Sequence, residues 1–171
     1  YVTGTIGNSA IGLHLLKNKN DYLGLGQLDI QKLIRKYHLP DPRLKIIHLI
    51  KKFASSSMDT TDGLINDLLV LAGSSGRKFI IKKNLIPYSV SAKKFLNNYG
   101  DFDIALYGGD DYEVIFTSPM KFEDKLNDYA KKIKLKITKI GNVGSTSKNP
   151  GLFDEKYKEF KASYYTFKHF K

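Results

Sequence analysis

Between Ser57 and Leu64 the chain reads Ser-Met-Asp-Thr-Thr-Asp-Gly-Leu, which sets the carboxylates of Asp59 and Asp62 and the hydroxyls of Thr60 and Thr61 where an apolar segment gives way to an amphipathic one. Such hard oxygen donors suit Mg²⁺, which takes a few carboxylates at about 2.1 Å and completes its shell with waters and substrate phosphates. Leu64, Leu68 and Leu71 recur at helical spacing, so a helix should follow the turn and end within Gly73 to Gly76. A helix start adds unpaired N–H groups and a partial positive charge, against which phosphate oxygens can lie. Asp59 and Asp62 are therefore candidate metal ligands, and two carboxylates supply part of a site. The same string is also an ordinary helix start, with Asp59, Thr60 or Thr61 as N-cap and Asp62 complementing the dipole. Read alone, it is the plainer of the two.

A second candidate is Gly108-Gly109-Asp110-Asp111, where adjacent glycines allow close backbone approach and the acids offer oxygen donors or acceptors. Taken locally it reads as a hairpin turn. The aromatic segment Tyr164 to Phe170 can close a core or cover a ligand. There is no cysteine, which removes disulfides, thiolate metal sites and cysteine nucleophiles and is compatible with a reducing cytoplasm. No apolar run reaches the ~20 residues of a membrane helix, and no Walker-type loop or Ser-His-Asp set stands out.

At 171 residues with 42% apolar content, the chain fits one domain with a real core. Tyr1 to Thr5 should be a strand, Gly7 a turn, and Ser9 to Leu16 a helix. A short helix is expected over Asp29 to Tyr37, stopped before Pro40. Asp41 and Pro42 suit the N-cap and first turn of a helix reaching about Phe53, with Leu44, Ile47 and Ile50 inward and His48 at the core or its boundary. Strands are expected over Ala54 to Met58, Phe79 to Lys82, Ile104 to Tyr107, Tyr112 to Thr117 and Leu135 to Ile140, with a helix over Phe122 to Ile133. Helices and strands mix without strict alternation, which favours α+β over a doubly wound sheet.

The aspartate turn is similar to the M-D-I/V-S-D-G-L signature of thiamine-monophosphate kinases, and other segments of that family's second half follow in order. Val2-Thr3-Gly4-Thr5-Ile6-Gly7-Asn8-Ser9-Ala10-Ile11-Gly12-Leu13 resembles V-T-G-x-x-G-D-S-A-x-G-L, and His38 to Arg43 resembles the R-P-x-P-R turn. Leu106 to Thr117 resembles L-x-G-G-E-D-Y-E-L-L-F-T, Ile137 to Gly141 the following I-T-x-I-G, and Thr166 to Phe170 the terminal G-F/Y/W-x-H-F. The departures are Asn8 for aspartate, Asp110 for glutamate and Thr166 for glycine.

The resemblance implies a three-layer α/β/α arrangement with a mixed sheet, like the second domain of the aminoimidazole-ribonucleotide-synthetase-like superfamily. It also implies transfer of the γ-phosphoryl of ATP to thiamine monophosphate, giving thiamine diphosphate. Asp59 and Asp62 then fall on Mg²⁺ ligands, Thr61 on a nucleotide contact, and Asp110 and Phe167 on substrate contacts, Phe167 offering a ring face to the cationic thiazolium. Residues 1–171 would be the carboxyl-terminal domain; the amino-terminal, ATP-binding domain is absent from the chain, and the complete enzyme would be a cytoplasmic homodimer. Tyr1 opens directly on an expected strand with no lead-in, which suggests that something upstream has been removed or was never encoded. The competing class is a non-catalytic remnant, or a basic domain that binds nucleotides or nucleic acid.

Net charge is +11, yet of the 28 basic residues only Arg35, Arg43 and Arg77 are arginine, the better fork for phosphates and bases. The lysines are spread along the chain as a solvated surface, so no specific nucleic acid is expected as a partner. Binding to DNA or RNA should be weak, indifferent to sequence and steeply lost with added salt, as fluorescence-anisotropy titrations at several salt concentrations can check.

Overall fold

The computed structural model describes residues 1–18 and 24–162. The first half holds β1 (Val2–Thr3), α1 (Asn8–Lys17), α2 (Gln27–His38), a 3-10 turn (Leu44–Ile46) running into α3 (Ile47–Phe53), β2 (Ser56–Asp59), α4 (Leu64–Ser75) and β3 (Arg77–Ile81). The second holds α5 (Val90–Tyr99), α6 (Asp103–Tyr107), β4 (Val114–Thr117), α7 (Glu123–Lys132), β5 (Ile137–Thr138), β6 (Gly141–Thr146) and β7 (Gly151–Asp154).

The strands form two sheets. A four-stranded sheet runs β2-β4-β1-β5 with every neighbour antiparallel, and a three-stranded sheet runs β6-β3-β7 with β7 parallel and β6 antiparallel to β3. Successive residues of a strand face opposite sides of the sheet. On β4, Ile115 packs with Val2, Leu64, Ile65 and Leu68, in a core that α4 shares with Phe79 and Leu152 of the second sheet. Its neighbour Phe116 packs with Ile46 of the 3-10 turn, Leu49 and Phe53 of α3 and Leu126 of α7. Helices thus cover both faces of the four-stranded sheet. A third cluster joins α1, α2 and α5 through Ile11, Leu15, Leu33, Phe95 and Leu96.

Several local expectations are corrected. Ile104 to Tyr107 is helical as part of α6, so Gly108-Gly109 joins a helix to a strand and is not a hairpin. A four-residue apolar run does not distinguish a short helix from a strand, and packing decides. Asp41 and Pro42 do not open a helix; Asp41 instead accepts a 2.6 Å bond from Arg43, and the chain enters α3 through the 3-10 turn. That offset rotates the inward face to Ile46, Leu49 and Phe53, leaving Leu44 and Ile47 exposed and His48 on the surface. Helix α5 and strands β6 and β7 had no counterpart in the sequence reading.

Where β1, β2 and β4 meet, the buried carboxylate of Glu113 accepts two bonds from the Arg43 guanidinium, Nε to Oε2 and Nη2 to Oε1, each 2.5 Å. Thr3 Oγ1 donates to Glu113 Oε2 at 2.6 Å and accepts from the Val114 N–H at 2.8 Å. On the other side, Thr60 Oγ1 accepts from the Glu113 N–H at 3.0 Å. With side-chain exposures of 13% for Arg43 and 4% for Glu113, the carboxylate has little water to fall back on and depends on the guanidinium. Removing one partner, as in Glu113→Ala or Arg43→Ala, should cost about 3–5 kcal/mol. The paired change Arg43→Met with Glu113→Leu should recover most of that loss, as urea unfolding of the three variants can check.

Candidate functional site

The β2·β4 pairing brings Asp59 opposite Val114 and then continues as irregular backbone. Thr60 N–H donates to Glu113 O at 2.7 Å, Tyr112 N–H to Thr60 O at 2.9 Å, and Asp110 N–H to Thr61 O at 2.9 Å. The two motifs singled out for their chemistry, far apart in sequence, therefore lie side by side. Gly109 has to be glycine because a Cβ there would overlap the Thr61 carbonyl. Gly63 sits at φ +106° with the Tyr107 carbonyl where its Cβ would be, so it meets both a conformational and a steric requirement.

No side chain of the turn caps α4. The N-cap is Gly63, and Thr60 is buried and committed to Glu113. The turn is instead held from within the helix: Asp67 Oδ2 accepts the Thr61 N–H at 3.0 Å and the Asp62 N–H at 3.2 Å, while Asn66 Nδ2 donates to the Asp62 carbonyl at 2.8 Å. The cap reading of the turn therefore needs revision. The residues proposed as caps do not cap, and the Thr61 and Asp62 amides serve a resident carboxylate. Asp67 was missed in the sequence. Its signal there is the pair Asn66-Asp67 set within a run of Leu and Ile that should be wholly apolar.

Asp59 and Asp62 are exposed, Thr61 is half-buried, and among the described residues neither acid forms an ion pair despite the basic composition. Asp110 is exposed, at φ +67°, and Tyr112 follows at φ +51° with its hydroxyl 3.5 Å from Asp110 Oδ1. Aspartate tolerates the left-handed region better than a longer acid, which gives the shorter side chain at 110 a backbone rationale. For a tyrosine such backbone is strained, and strain of this kind gathers at functional sites. The Tyr112 phenol is pushed up chiefly by the Asp110 charge, with burial, the contact with Asp110 and Asp59 adding to it. Asp59, Asp62 and Asp110 thus share one exposed rim. Phe167 lies outside the described residues.

Among the described residues no group of three or more His, Asp or Glu side chains is placed to hold a metal ion. Two carboxylates such as Asp59 and Asp62 suit a hard cation that keeps much of its water. A cleft of about 640 Å³ is lined by Ser55, Leu71, Phe79, Met120 and Val143 and contains none of Asp59, Asp62 and Asp110.

A further acid supports the site from behind. Asp111 accepts from the Gly7 N–H at 2.5 Å and the Ser9 N–H at 3.2 Å, tying the loop to the start of α1. Asn8 donates to Thr5 Oγ1 at 2.7 Å and accepts from Ser89 Oγ at 2.6 Å, linking α1 to the N-cap of α5. An amide can donate and accept in this way, whereas the ionised aspartate of the resembling motif only accepts.

No protein-family model matches the chain. The fold nevertheless defines a class, the α+β fold of the aminoimidazole-ribonucleotide-synthetase-like superfamily. The structure aligns with thiamine-monophosphate kinase from Stenotrophomonas maltophilia K279a at TM-score 0.80 and 29% identity, covering 90% of this chain and 48% of that one. It aligns with AaThiL complexed with AMPPCP and TMP at TM-score 0.80 and 32% identity, covering 99% and 50%. Escherichia coli HypE, at TM-score 0.65 and 16% identity, shows the fold alone. In sequence, thiamine-monophosphate kinase of Aquifex aeolicus (strain VF5) is 36% identical over 146 residues, 84% of this chain and 44% of its own length. That of Buchnera aphidicola subsp. Acyrthosiphon pisum is 37% identical over 162 residues, 92% of this chain and 48% of its own length. The chain matches the carboxyl-terminal part of thiamine-monophosphate kinases and spans about half the length of the curated relatives it matches.

Two of the supporting acids titrate near neutrality. Burial pushes Asp67 up to about 6 against the Thr61 and Asp62 amides, and the charges of Asp62 and Asp59 push the same way. Burial likewise pushes Asp111 up to about 7, outweighing the Gly7 and Ser9 amides. A carboxyl whose folded pKa exceeds its unfolded value of 3.8 stabilises the fold below that value and loses the contribution as pH rises through the folded pKa. Thermal stability should therefore fall between about pH 4 and pH 7, by at most about 1.4 kcal/mol per pH unit for each carboxyl. Asp111→Asn should flatten that fall in melting curves recorded across the range.

Proposed function

We propose that the chain is the half of a thiamine-monophosphate kinase that carries part of the metal, nucleotide and substrate contacts, and that it serves transfer of the γ-phosphoryl of ATP to thiamine monophosphate. The observation that carries this reading is the joining of the Asp59 to Asp62 turn and the Asp110 loop into one exposed acidic rim by three backbone hydrogen bonds. A relative with the same fold is complexed with AMPPCP, an ATP analogue, and TMP, the thiamine monophosphate substrate.

Phosphoryl transfer asks little covalent chemistry of a protein and depends on positioning and charge neutralisation. Asp59 and Asp62 would hold Mg²⁺, which when bound neutralises phosphate oxygens that would otherwise repel one another. Thr61 would offer its hydroxyl to a nucleotide phosphate, and the Asp110 carboxylate would oppose the cationic thiazolium, whose face Phe167 would cover. The rim is open to solvent and short of ligands, which supports a site completed by the half of the relatives that this chain does not span.

Phosphoryl transfer should be absent with the chain alone and should appear when a polypeptide equivalent to that other half is supplied. In the completed protein, Asp59→Asn or Asp62→Asn should lower kcat by about 100-fold or more, with thermal stability unchanged or raised. Unaltered turnover and Mg²⁺-ATP affinity in both variants would remove the metal assignment.

A further inference from the structure

Asp67 is 2% exposed and lies in the first turns of α4, between Ile65 and Leu68, which belong to the main core. A carboxylate is an expensive occupant of such a place. The two amide bonds it accepts would be made at lower cost by a Ser, Thr or Asn cap on the solvent side, as Ser89 caps α5 through the Ala92 N–H. Nor does Asp67 relieve crowding, since Asp62 and Asp59 are both close enough to act on it electrostatically. What it does is fix two consecutive peptides of the turn from below. Asn66 fixes the Asp62 carbonyl, and the Asp110 and Tyr112 amides fix the carbonyls of Thr61 and Thr60. With the backbone held from both sides, the Thr61 hydroxyl and the Asp62 carboxylate are delivered outward from a preset frame.

We infer that Asp67 is a positioning residue for the cation-binding turn: by accepting the Thr61 and Asp62 N–H groups from inside α4, it presets the direction of the Asp62 carboxylate and the Thr61 hydroxyl. The inference rests on the proposed reading of Asp59 and Asp62 as ligands of a divalent ion. Asp67 itself stays buried and touches neither ion nor substrate. Its hydrogen-bond acceptance is what matters, so an amide in its place should serve nearly as well.

The test uses Mn²⁺ as the probe, with paramagnetic broadening of backbone amide signals of the 171-residue chain followed by NMR. Asp67→Asn keeps an acceptor; Asp67→Leu removes it while extending the apolar face of α4, and Asp67→Ser is a second variant too short to reach the turn. Expected is broadening centred on the turn in the unaltered chain, an affinity within about threefold of it for Asp67→Asn, and about 10- to 100-fold weaker binding for the Leu and Ser variants. Faster amide exchange at Thr61 and Asp62 in those two variants, with melting temperatures close to that of the unaltered chain, would separate loss of position from loss of fold. Unchanged Mn²⁺ affinity in the Leu and Ser variants overturns the inference. Equal weakening in the Asn variant overturns it too, because the effect would then follow charge. Absence of broadening at the turn in the unaltered chain overturns the cation reading itself, and the inference with it.

Discussion

The rest of the structure hangs on the ion pair between Glu113 and Arg43. It is a costly interaction to bury, because each charge gives up its hydration and recovers it only through near-ideal geometry. Here the geometry is a bidentate fork, with a threonine hydroxyl filling a further acceptor position on the carboxylate. Glu113 belongs to the loop that carries Asp110, Arg43 to the turn before α3, and Thr3 to β1, so one carboxylate sets the mutual placement of three segments. Its main-chain groups do the same for a fourth, through paired bonds with Thr60 at the mouth of the aspartate turn.

The recognisable motifs of the chain therefore function as one assembly. Arg43 of the proline-rich turn reaches Glu113, Asp111 beside it reaches the amides that open α1, and the Asp110 and Tyr112 amides reach the aspartate turn. Each connection spans a long stretch of sequence and would be lost if either end changed its backbone path. The candidate side chains of Asp59, Asp62 and Asp110 stand on the outside of this frame. The residues that secure it are buried, and they account for much of each motif's length.

The parts of this arrangement that were legible in the sequence are those governed by local rules. The spacing of Leu64, Leu68 and Leu71 announces α4, and Gly76 in the left-handed conformation ends it within the expected window. The antiparallel partner of the aspartate strand was recognisable as a strand from Tyr112 to Thr117. Misreadings fell where tertiary contacts decide: a short apolar run at Ile104 became a helix, and a 3-10 turn rotated α3 so that Ile46 and Leu49, in place of Leu44 and Ile47, met the core. Thr61, Asp62 and Asp110 were singled out as candidates because chemistry and motif coincide in them. Asp67 and Glu113 were passed over because their roles lie in backbone amides and an arginine that no local pattern links to them.

The resident carboxylate beneath the turn has a consequence for which anions this surface can attract. At distances beyond about 8–10 Å, where mobile ions begin to screen, the chain's surplus of lysine presents a generally positive exterior to polyphosphates. At contact distance the sign reverses, because Asp59 and Asp62 stand above Asp67 with their local amides already taken. A bare phosphate that drifts in meets an acidic island in a basic coast. The turn thus presents carboxylates to whatever approaches and keeps the Thr61 and Asp62 amides out of its reach.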